Sequence, residues 1–292
     1  MPNDSTEARR GHPYPLIALL VAMTGVGSLS LNILVPALPA IVTRLQAEPG
    51  HAQLTVSLYL LGLAASQLVL GPLSDRFGRR PVVLAGLAIA TVASFAAIFA
   101  TTIGGLILAR VAQALGASTG QVVGRAIIRD LYERERAASV LGLVTSAVVV
   151  IPMLSPLIGG ILDTAFGWES IFILVAALSF AVLAWTALML PETRPAAAAQ
   201  SPPGRFMFDL GTLVSNRRFV GYALSAALGS APFFTFLGGA PYVTIDMMGR
   251  TSAEYGLWFA LSALGFMAGT YSASRLAVRY GIDRMIWWGT IV

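Results

Sequence analysis

One arginine, Arg110, lies deep inside an apolar stretch that holds no other charged residue. Gln113, Ala117 and Gln121 follow it at helical spacing, so the four side chains share one face of a helix. Burying an arginine in a bilayer costs about 3 kcal/mol on insertion scales, and such a residue therefore needs a polar partner or a watery cavity. We interpret Arg110 and Gln113 as members of a membrane-embedded functional site. A structural arginine bonded to carbonyls of a neighbouring helix is the alternative.

Polar and aromatic residues in three other apolar stretches are candidates to contact a substrate. Thr24, Ser28 and Asn32 recur at steps of four in the first stretch, Tyr59 lies in the second, and Phe236 ends a phenylalanine-rich run in a later one. Rings and a few hydrogen-bonding groups in a cavity suit amphipathic, often cationic, molecules. Asn32, Tyr59 and Phe236 are therefore the predicted substrate contacts. Bonding or packing between helices is the alternative role for each of them.

Four charges occur within the eleven residues from Gly71 to Pro81, between two long apolar runs. They are Asp75, Arg76, Arg79 and Arg80. Such a cluster predicts a tight loop where the chain leaves a bilayer and re-enters it. We expect Gly71 to allow close packing at the end of one helix, Gly78 to adopt a positive φ in the turn, and Pro81 to begin the next helix.

The composition excludes an ordinary water-soluble domain. Of 292 residues, 56% are hydrophobic and 11% charged, with a mean hydropathy of +0.76, so one soluble core cannot hide the apolar surface. All 19 basic residues are arginines, and they lie mostly in gaps between apolar runs, which is typical of membrane topology rather than of nucleic-acid binding. Cysteine is absent, and neither metal-ligand spacing nor a phosphate-binding loop occurs. We expect no enzyme activity, cofactor, metal or nucleic acid.

Apolar stretches near twenty residues, the length that crosses about 30 Å of hydrocarbon, recur eight times. The predicted spans are Pro15–Val42, Gln53–Leu73, Pro81–Ala100, Ile103–Gly124, Ala137–Leu162, Trp168–Leu190, Phe219–Met247 and Tyr255–Val278. A ninth stretch opens at Met285, so we expect the chain to be part of a longer protein. We predict an all-α polytopic membrane protein with a six-span bundle (1–190), a linker of flexible composition (191–218) and the start of a second bundle (219–292).

The arginines also predict the orientation. If the N-terminus is cytoplasmic, 16 of the 19 arginines fall in inner segments, 2 in outer segments, and Arg110 inside a span. This distribution satisfies the positive-inside rule.

An internal repeat relates the two predicted bundles at an offset of 203 residues. The matched pairs are Gly62 with Gly265, Arg76 with Arg279, Phe77 with Tyr280, Gly78 with Gly281 and Gly86 with Gly289. Duplicated bundles related by an axis along the membrane normal are a transporter arrangement. We therefore expect a substrate site between the two halves near the middle of the bilayer.

The charged segment and the fourth span carry a family resemblance. The segment GPLSDRFGRR at residues 71–80 resembles the loop signature of the major facilitator superfamily. The segment RVAQALGA at residues 110–117 resembles the fourth-span motif of the same family. In that family the arginine of the fourth span is implicated in coupling proton movement to substrate movement. The resemblance implies the major facilitator fold, alternating access, and a cytoplasmic latch. The latch residues are Gly71, Asp75, Arg76, Gly78, Arg79 and Arg80.

Within that superfamily the chain is similar to the Bcr/CflA (bicyclomycin-resistance) branch of drug exporters. The matching segments are NILVPALP at residues 32–39, IRDLY at 128–132 and GAPYV at 239–243. Asn32 stands where the branch usually carries an aspartate, a candidate proton site. Because an asparagine does not titrate, proton coupling in this chain must use another group.

The fifth span contains two prolines four residues apart, Pro152 and Pro156, followed by the pair Gly159 and Gly160. The prolines remove helix donors on one face and the glycines allow another backbone to come close, which predicts a bend at a helix contact. The segment resembles the antiporter signature of drug exporters, and it favours export over import.

Together these features predict an inner-membrane exporter of small amphipathic drugs or xenobiotics, working as a monomer in the bacterial cytoplasmic membrane with protons as counter-ion. In this hypothesis Arg110 lines the cavity and tunes coupling. A non-transporting fragment or membrane interaction remnant is the alternative. An importer of sugars or metabolites is a third option, which the fifth-span signature disfavours.

Overall fold

The computed structural model describes residues 13–194 and 211–280, and these ranges are predominantly helical. The helices are α1 (Pro13–Asn32), α2 (Leu38–Arg44), α3 (Pro49–Phe77), α4 (Arg79–Ile98), α5 (Ile103–Leu131), α6 (Arg134–Phe166), α7 (Glu169–Met189), α8 (Arg217–Pro241) and α9 (Ser252–Tyr280). A 3₁₀ turn, Val35–Ala37, joins α1 to α2, and a π-helical turn, Tyr242–Met247, extends α8.

Seven segments of the described chain are long and apolar enough to cross a membrane. They are Pro15–Arg44, Pro49–Phe77, Arg79–Ile98, Ile103–Leu131, Arg134–Phe166, Glu169–Met189 and Arg217–Met247. They overlap the first seven predicted spans, with some ends extended by up to seven residues. The eighth predicted span is helical as well, since α9 has 29 residues, but it is not among these seven. The first span is interrupted: Pro36 lies in the 3₁₀ turn and Pro39 at the start of α2.

The first seven helices form a bundle in which α5 is central. The α5 helix packs against α4, α3 and α1, while α7 packs against α4 and α1. Gly120 shows how close these contacts are, because a Cβ added there would clash with the carbonyl oxygen of Met23 on α1. A larger side chain at this position would push α1 and α5 apart.

The last two helices contact this bundle unequally. The α9 helix lies along α6, whereas the buried residues of α8 are confined to its far end, at Leu237, Gly238 and Pro241. The rest of α8, up to Phe236, is exposed apart from a partly covered Val220.

The charged segment is not the loop that the sequence predicted. The α3 helix continues to Phe77 and α4 begins at Arg79, so Gly78 alone joins them, with the expected positive φ of +106°. The expectation of close packing at Gly71 is wrong, because a Cβ there would meet no atom within 4 Å, and Pro81 is the third residue of α4 rather than the first. A helix of 29 residues is about 40 Å long, so its polar last turn can extend beyond about 30 Å of hydrocarbon without losing backbone hydrogen bonds.

The start of α9 supports the predicted repeat. The α9 helix begins at residue 252, which lies 203 residues after the start of α3 at residue 49. The repeat partners Gly281 and Gly289 lie outside the described residues.

Candidate functional site

Arg110 is 1% exposed and enclosed between α1, α3 and α5. Its Nη1 donates to the Ser30 carbonyl at 2.8 Å and to the Gln113 side-chain oxygen, and its Nε donates to the Thr55 carbonyl at 3.4 Å. The guanidinium carbon lies 4.1 Å from the centre of the Tyr59 ring, a cation–π distance. Neutral dipoles and one aromatic face therefore hold the cation.

The hydrogen bonds around Arg110 continue into two more contacts between helices. Gln113 Nε2 donates to Ser94 Oγ on α4 at 2.6 Å, and the Tyr59 hydroxyl donates to the Gly27 carbonyl on α1 at 3.1 Å. In the part of the chain that the structure describes, the ion pairs do not include Arg110, and its Nη2 has no hydrogen-bond partner. The positive charge is thus not neutralised by a carboxylate within these residues.

A cavity of about 660 Å³ lies between α1 and α6 on one side and α8 and α9 on the other. Most of its wall is apolar. The described residues of the wall include four rings, those of Phe233, Phe234, Phe236 and Phe259. The rings of Phe233 and Phe234 lie 5.5 Å apart at 74°, an edge-to-face arrangement. The wall is therefore suited to a flat, apolar or aromatic molecule.

The structure separates the predicted substrate and coupling residues into two groups. Asn32 and Phe236 lie in the wall of the cavity. Arg110, Gln113 and Tyr59 are 1%, 1% and 0% exposed and do not line it. The expectation that Arg110 lines the cavity is therefore wrong, because helices α1, α3, α4 and α5 surround its side chain. The polar network of Arg110, Gln113 and Tyr59 lies inside the first bundle.

Three serines complete the polar part of the cavity wall: Ser28 on α1, Ser230 on α8 and Ser262 on α9. Sequence reasoning identified Ser28 by its spacing from Asn32 but missed the other two. Helical spacing could have found them, because Ser230 precedes Phe233 and Phe234 by three and four residues and Ser262 follows Phe259 by three.

Arg79 joins the ends of three helices at the charged segment. Its guanidinium lies 2.5 Å from Asp75 Oδ1 and donates to Asp130 Oδ2 at 2.9 Å and to Ser74 Oγ at 2.6 Å. Asp130 belongs to the last turn of α5, so the charged segments 71–81 and 125–136 lie at one end of the bundle, here called the basic end. The sequence predicted that they share one face of the membrane.

Glu192 caps the N-terminus of α4, a contact that sequence reasoning missed. Its carboxylate accepts from the backbone N–H of Arg79 at 2.8 Å and of Arg80 at 3.3 Å, and Arg194 Nη1 donates to the Arg76 carbonyl at 2.6 Å. Burial would raise the pKa of the Glu192 carboxyl, but backbone donors outweigh this and hold its pKa below the usual value. The one sequence signal for this contact was the position of Glu192 just after the end of the sixth predicted span.

The proline–glycine segment of α6 lies where two other helices come closest. A Cβ on Gly159 would clash with the Ile33 carbonyl at the end of α1, and one on Gly160 would clash with the Ser252 carbonyl at the start of α9. A Cβ on Gly256 of α9 would in turn lie 2.5 Å from the Pro156 carbonyl. The predicted helix contact is therefore present, with backbones touching on both sides of α6.

Polar contacts hold the walls of the cavity together at the end opposite the basic end. Ser252 Oγ donates to Asp163 Oδ2 at 2.6 Å, and the N–H of Ala253 donates to Thr164 Oγ1 at 3.2 Å. On the other side, the Tyr242 hydroxyl lies 3.5 Å from the Pro49 carbonyl. Among the described residues, the buried positions of α8 lie only near this end, and the rest of the helix is largely uncovered towards the basic end.

No group of three histidine, cysteine or acidic side chains within residues 13–194 and 211–280 has a geometry that could hold a metal ion.

Comparison with known sequences identifies relatives over most of the chain. Residues 20–292 match the family model described as Major Facilitator Superfamily. Multidrug resistance protein D of Escherichia coli (strain K12) is 32% identical over 283 residues, which are 97% of this chain and 71% of that protein. Multidrug resistance protein MdtL of Shigella dysenteriae serotype 1 (strain Sd197) is 34% identical over 226 residues, 77% of this chain and 57% of that protein.

Solved structures share the fold at low sequence identity. A bacterial homolog of the human lysosomal transporter Spinster, inward-facing and unoccupied, superimposes with a TM-score of 0.75 at 18% identity over 92% of this chain and 64% of its own. The D-xylose-proton symporter gives a TM-score of 0.64 at 10% identity over 92% of this chain and 70% of its own. The chain thus spans about two thirds of the length of these transporters.

Proposed function

Because the chain belongs to the Major Facilitator Superfamily, matching its family model from residue 20 to residue 292, we propose that it is a secondary active transporter that exports small amphipathic drugs or xenobiotics. It is a multi-pass membrane protein homologous to multidrug resistance proteins of Escherichia coli. The observation that carries the proposal is the cavity of about 660 Å³ between α1 and α6 on one side and α8 and α9 on the other. A binding site between two helix groups is what alternating access requires.

The two ends of this cavity support a rocking motion. Asp163, Thr164 and Pro49 hold the helices together at the end opposite the basic end, while α8 is uncovered towards the basic end. In our proposal the N-terminus and the basic end are cytoplasmic, and the membrane is the bacterial inner membrane. The geometry then corresponds to a state open to the cytoplasm, from which an exporter takes up its substrate.

The charged segment acts as a latch in this cycle. Asp75 is half exposed and pairs with Arg79 of its own bundle, so one side of its carboxylate is available to a second helix group. We assign residues 71–80 to holding the cytoplasmic ends together in the opposite, outward-open state. The bundle boundaries proposed for this motion are 1–190 and 219–292, with residues 191–218 as the cytoplasmic linker.

Protons are the proposed counter-ion, and Arg110 is the proposed coupling residue. The lone cation is connected through the Ser30 carbonyl to α1, the helix that presents Asn32 to the cavity, so a substrate that displaces α1 also changes the surroundings of Arg110. Asn32 itself cannot carry the proton. The resemblance to the Bcr/CflA branch supports antiport, and the Pro152–Gly160 contact with α9 supports export rather than import.

Transport by the purified chain in proteoliposomes, under an imposed pH gradient, tests the proposal. A panel of fluorescent dyes and antibiotics should move against the direction of proton flow, and dissipation of the gradient with a protonophore should stop the movement.

Phe236→Ala, in the cavity wall, should raise the KM for an aromatic dye by up to about tenfold, as expected for the loss of a ring contact. Phe166→Ala, at an exposed ring outside the wall, is the matched control. Absence of gradient-dependent transport of every compound would overturn the proposal, and uptake coupled in the same direction as protons would favour an importer.

A further inference from the structure

We propose that the cavity selects uncharged aromatic compounds that carry a hydrogen-bond donor, such as phenols, in preference to cations. This inference rests on the proposed transport function, since it defines the substrate class of the same cavity. It is carried by the direction of the hydrogen bonds in the wall and by the distribution of charge around it.

The polar groups of the wall present mainly acceptors to the cavity. The Ser230 hydroxyl donates to the Ala226 carbonyl of its own helix at 2.8 Å, and the Ser262 hydroxyl donates to the Trp258 carbonyl at 3.1 Å. Each serine therefore has its proton directed to the backbone, and its oxygen lone pairs remain for a ligand.

Asn32 adds a third acceptor on the opposite wall. Its Nδ2 donates to the Ser28 carbonyl at 2.8 Å, one turn earlier on α1. Within the described ranges its Oδ1 accepts no hydrogen bond, so this oxygen remains for a ligand, together with the second N–H of the amide. The Ser28 hydroxyl, the one other polar side chain among the described residues of the wall, can donate as well as accept.

A ligand with an N–H or O–H group can therefore donate to these acceptors. A ligand with only carbonyl or ether oxygens faces mostly lone pairs and forms few hydrogen bonds with them. In an apolar pocket this difference is significant, because a polar group without a partner loses its hydrogen bonds to water and gains none. The four phenylalanine rings supply the rest of the contact and favour an aromatic body.

The charge distribution disfavours cations. The described wall contains no acidic side chain, so a cationic ligand would leave water without gaining a counter-charge. The charge of Arg110 lies behind α1, bonded to the Ser30 carbonyl, between the two positions that present Ser28 and Asn32 to the cavity. Its field repels a second cation, because no carboxylate among the described residues neutralises it.

Equilibrium dialysis of the purified full chain against three matched probes tests this selectivity. The probes are 2-naphthol, which carries a donor, 2-methoxynaphthalene, in which the donor is methylated, and 1-methylquinolinium, a cation of similar size. We expect the naphthol to bind about five- to tenfold more tightly than the ether, as one hydrogen bond predicts, and the quinolinium to bind more weakly than both. Equal binding of naphthol and ether, tighter binding of the quinolinium, or no binding of any probe would overturn the inference.

Variants of the wall residues test whether the acceptors cause the preference for a ligand with a hydrogen-bond donor. Asn32→Leu removes one acceptor and Ser262→Ala removes another, and each should bring the naphthol-to-ether affinity ratio closer to one. Ser272→Ala is the matched control, because Ser272 lies on the same helix, donates to Ala268 at 2.8 Å in the same way, and is not in the wall. If Asn32→Leu does not fold, Ser262→Ala alone decides. An unchanged ratio in a folded acceptor variant would contradict the inference.

The failure of this inference and that of the proposed function are distinguishable. Donor-dependent binding without gradient-driven transport would preserve the selectivity and refute export. Transport that ignores the donor and accepts the quinolinium would preserve export and refute the selectivity.

Discussion

Two buried arginines of this protein have opposite electrostatic surroundings. Arg79, at the basic end, is 6% exposed and binds the carboxylates of Asp75 and Asp130. Arg110, inside the bundle, is 1% exposed and binds two backbone carbonyls, the Gln113 side chain and the face of Tyr59. The first charge is neutralised within the described structure, and the second is not.

This difference indicates different roles. A neutralised pair that joins the ends of α3, α4 and α5 fixes their relative positions, and removing one member leaves charges without a partner. An isolated cation contributes no ion pair to stability, and an apolar side chain of similar volume would fill the same space. Arg110 does bond carbonyls of α1 and α3, which is the structural role named as the alternative, but a cation that is expensive to bury and has no counter-charge is typical of a functional site. Arg79 is therefore expected to determine stability, and Arg110 is expected to determine transport.

The largest expected effect is on transport by the Arg110→Met variant. Replacing the cation by an apolar side chain of comparable length should lower gradient-driven efflux about a hundredfold, the upper range of a coupling free energy. The unfolding midpoint of the purified protein should change little, because the desolvation cost of the charge disappears together with its hydrogen bonds. Efflux from proteoliposomes and thermal unfolding in detergent measure the two quantities. Unchanged efflux would refute the coupling role.

The second comparison uses Arg79→Met, for which the expected effect includes a loss of stability. Loss of this cation leaves Asp75 and Asp130 facing each other and should lower the free energy of unfolding by about 3 kcal/mol, the lower end of the range for a buried pair because Asp75 is half exposed. Adding Asp130→Asn should recover part of the loss, which a double-mutant cycle measures. A variant as stable as the wild type would show that the ion pairs at the basic end do not hold the helices together.

A third variant makes the surroundings of Arg110 resemble those of Arg79. Gln113→Glu introduces a carboxylate next to the guanidinium and should keep the fold, while neutralising the charge should lower efflux about tenfold. Gln113→Met controls for the loss of the amide. If Gln113→Glu transports at the wild-type rate, the uncompensated charge of Arg110 has no role in coupling.

The comparison also shows how far sequence reasoning extends. The spans of α3, α5 and α8 were predictable because about twenty apolar residues have few alternatives in a bilayer. The spacing of Arg110 and Gln113 correctly predicted a shared helix face, but periodicity does not indicate which neighbour covers that face. In the structure α5 is surrounded by other helices, so the predicted cavity residue became a buried one.

Contacts between distant parts of the chain were beyond sequence reasoning for a related reason. Glu192 is separated from Arg79 by more than a hundred residues, and its pairing depends on α4 and α7 lying side by side. Likewise, the placement of Ser230 and Ser262 opposite Asn32 depends on how α8 and α9 meet α1 and α6. Local pattern predicts each helix, whereas packing determines which polar groups meet.

The smallest expected effect is that of Glu192, whose carboxylate accepts from the backbone N–H of Arg79 at the start of α4. Glu192→Gln weakens the cap on α4 and should lower the free energy of unfolding at neutral pH by about 0.5 kcal/mol, the low end for a cap because Glu192 is exposed. Since the pKa of Glu192 is lowered by folding, its contribution is present above the pKa of an unfolded glutamate, about 4.3, and is lost as the pH falls through the lower folded value. The stability difference between wild type and variant should therefore shrink as the pH falls from about 6 to about 3. Glu133→Gln is the control, because Glu133 precedes α6 at the same end without a side-chain cap. A difference that does not depend on pH would mean that Glu192 acts through its shape and not through its charge.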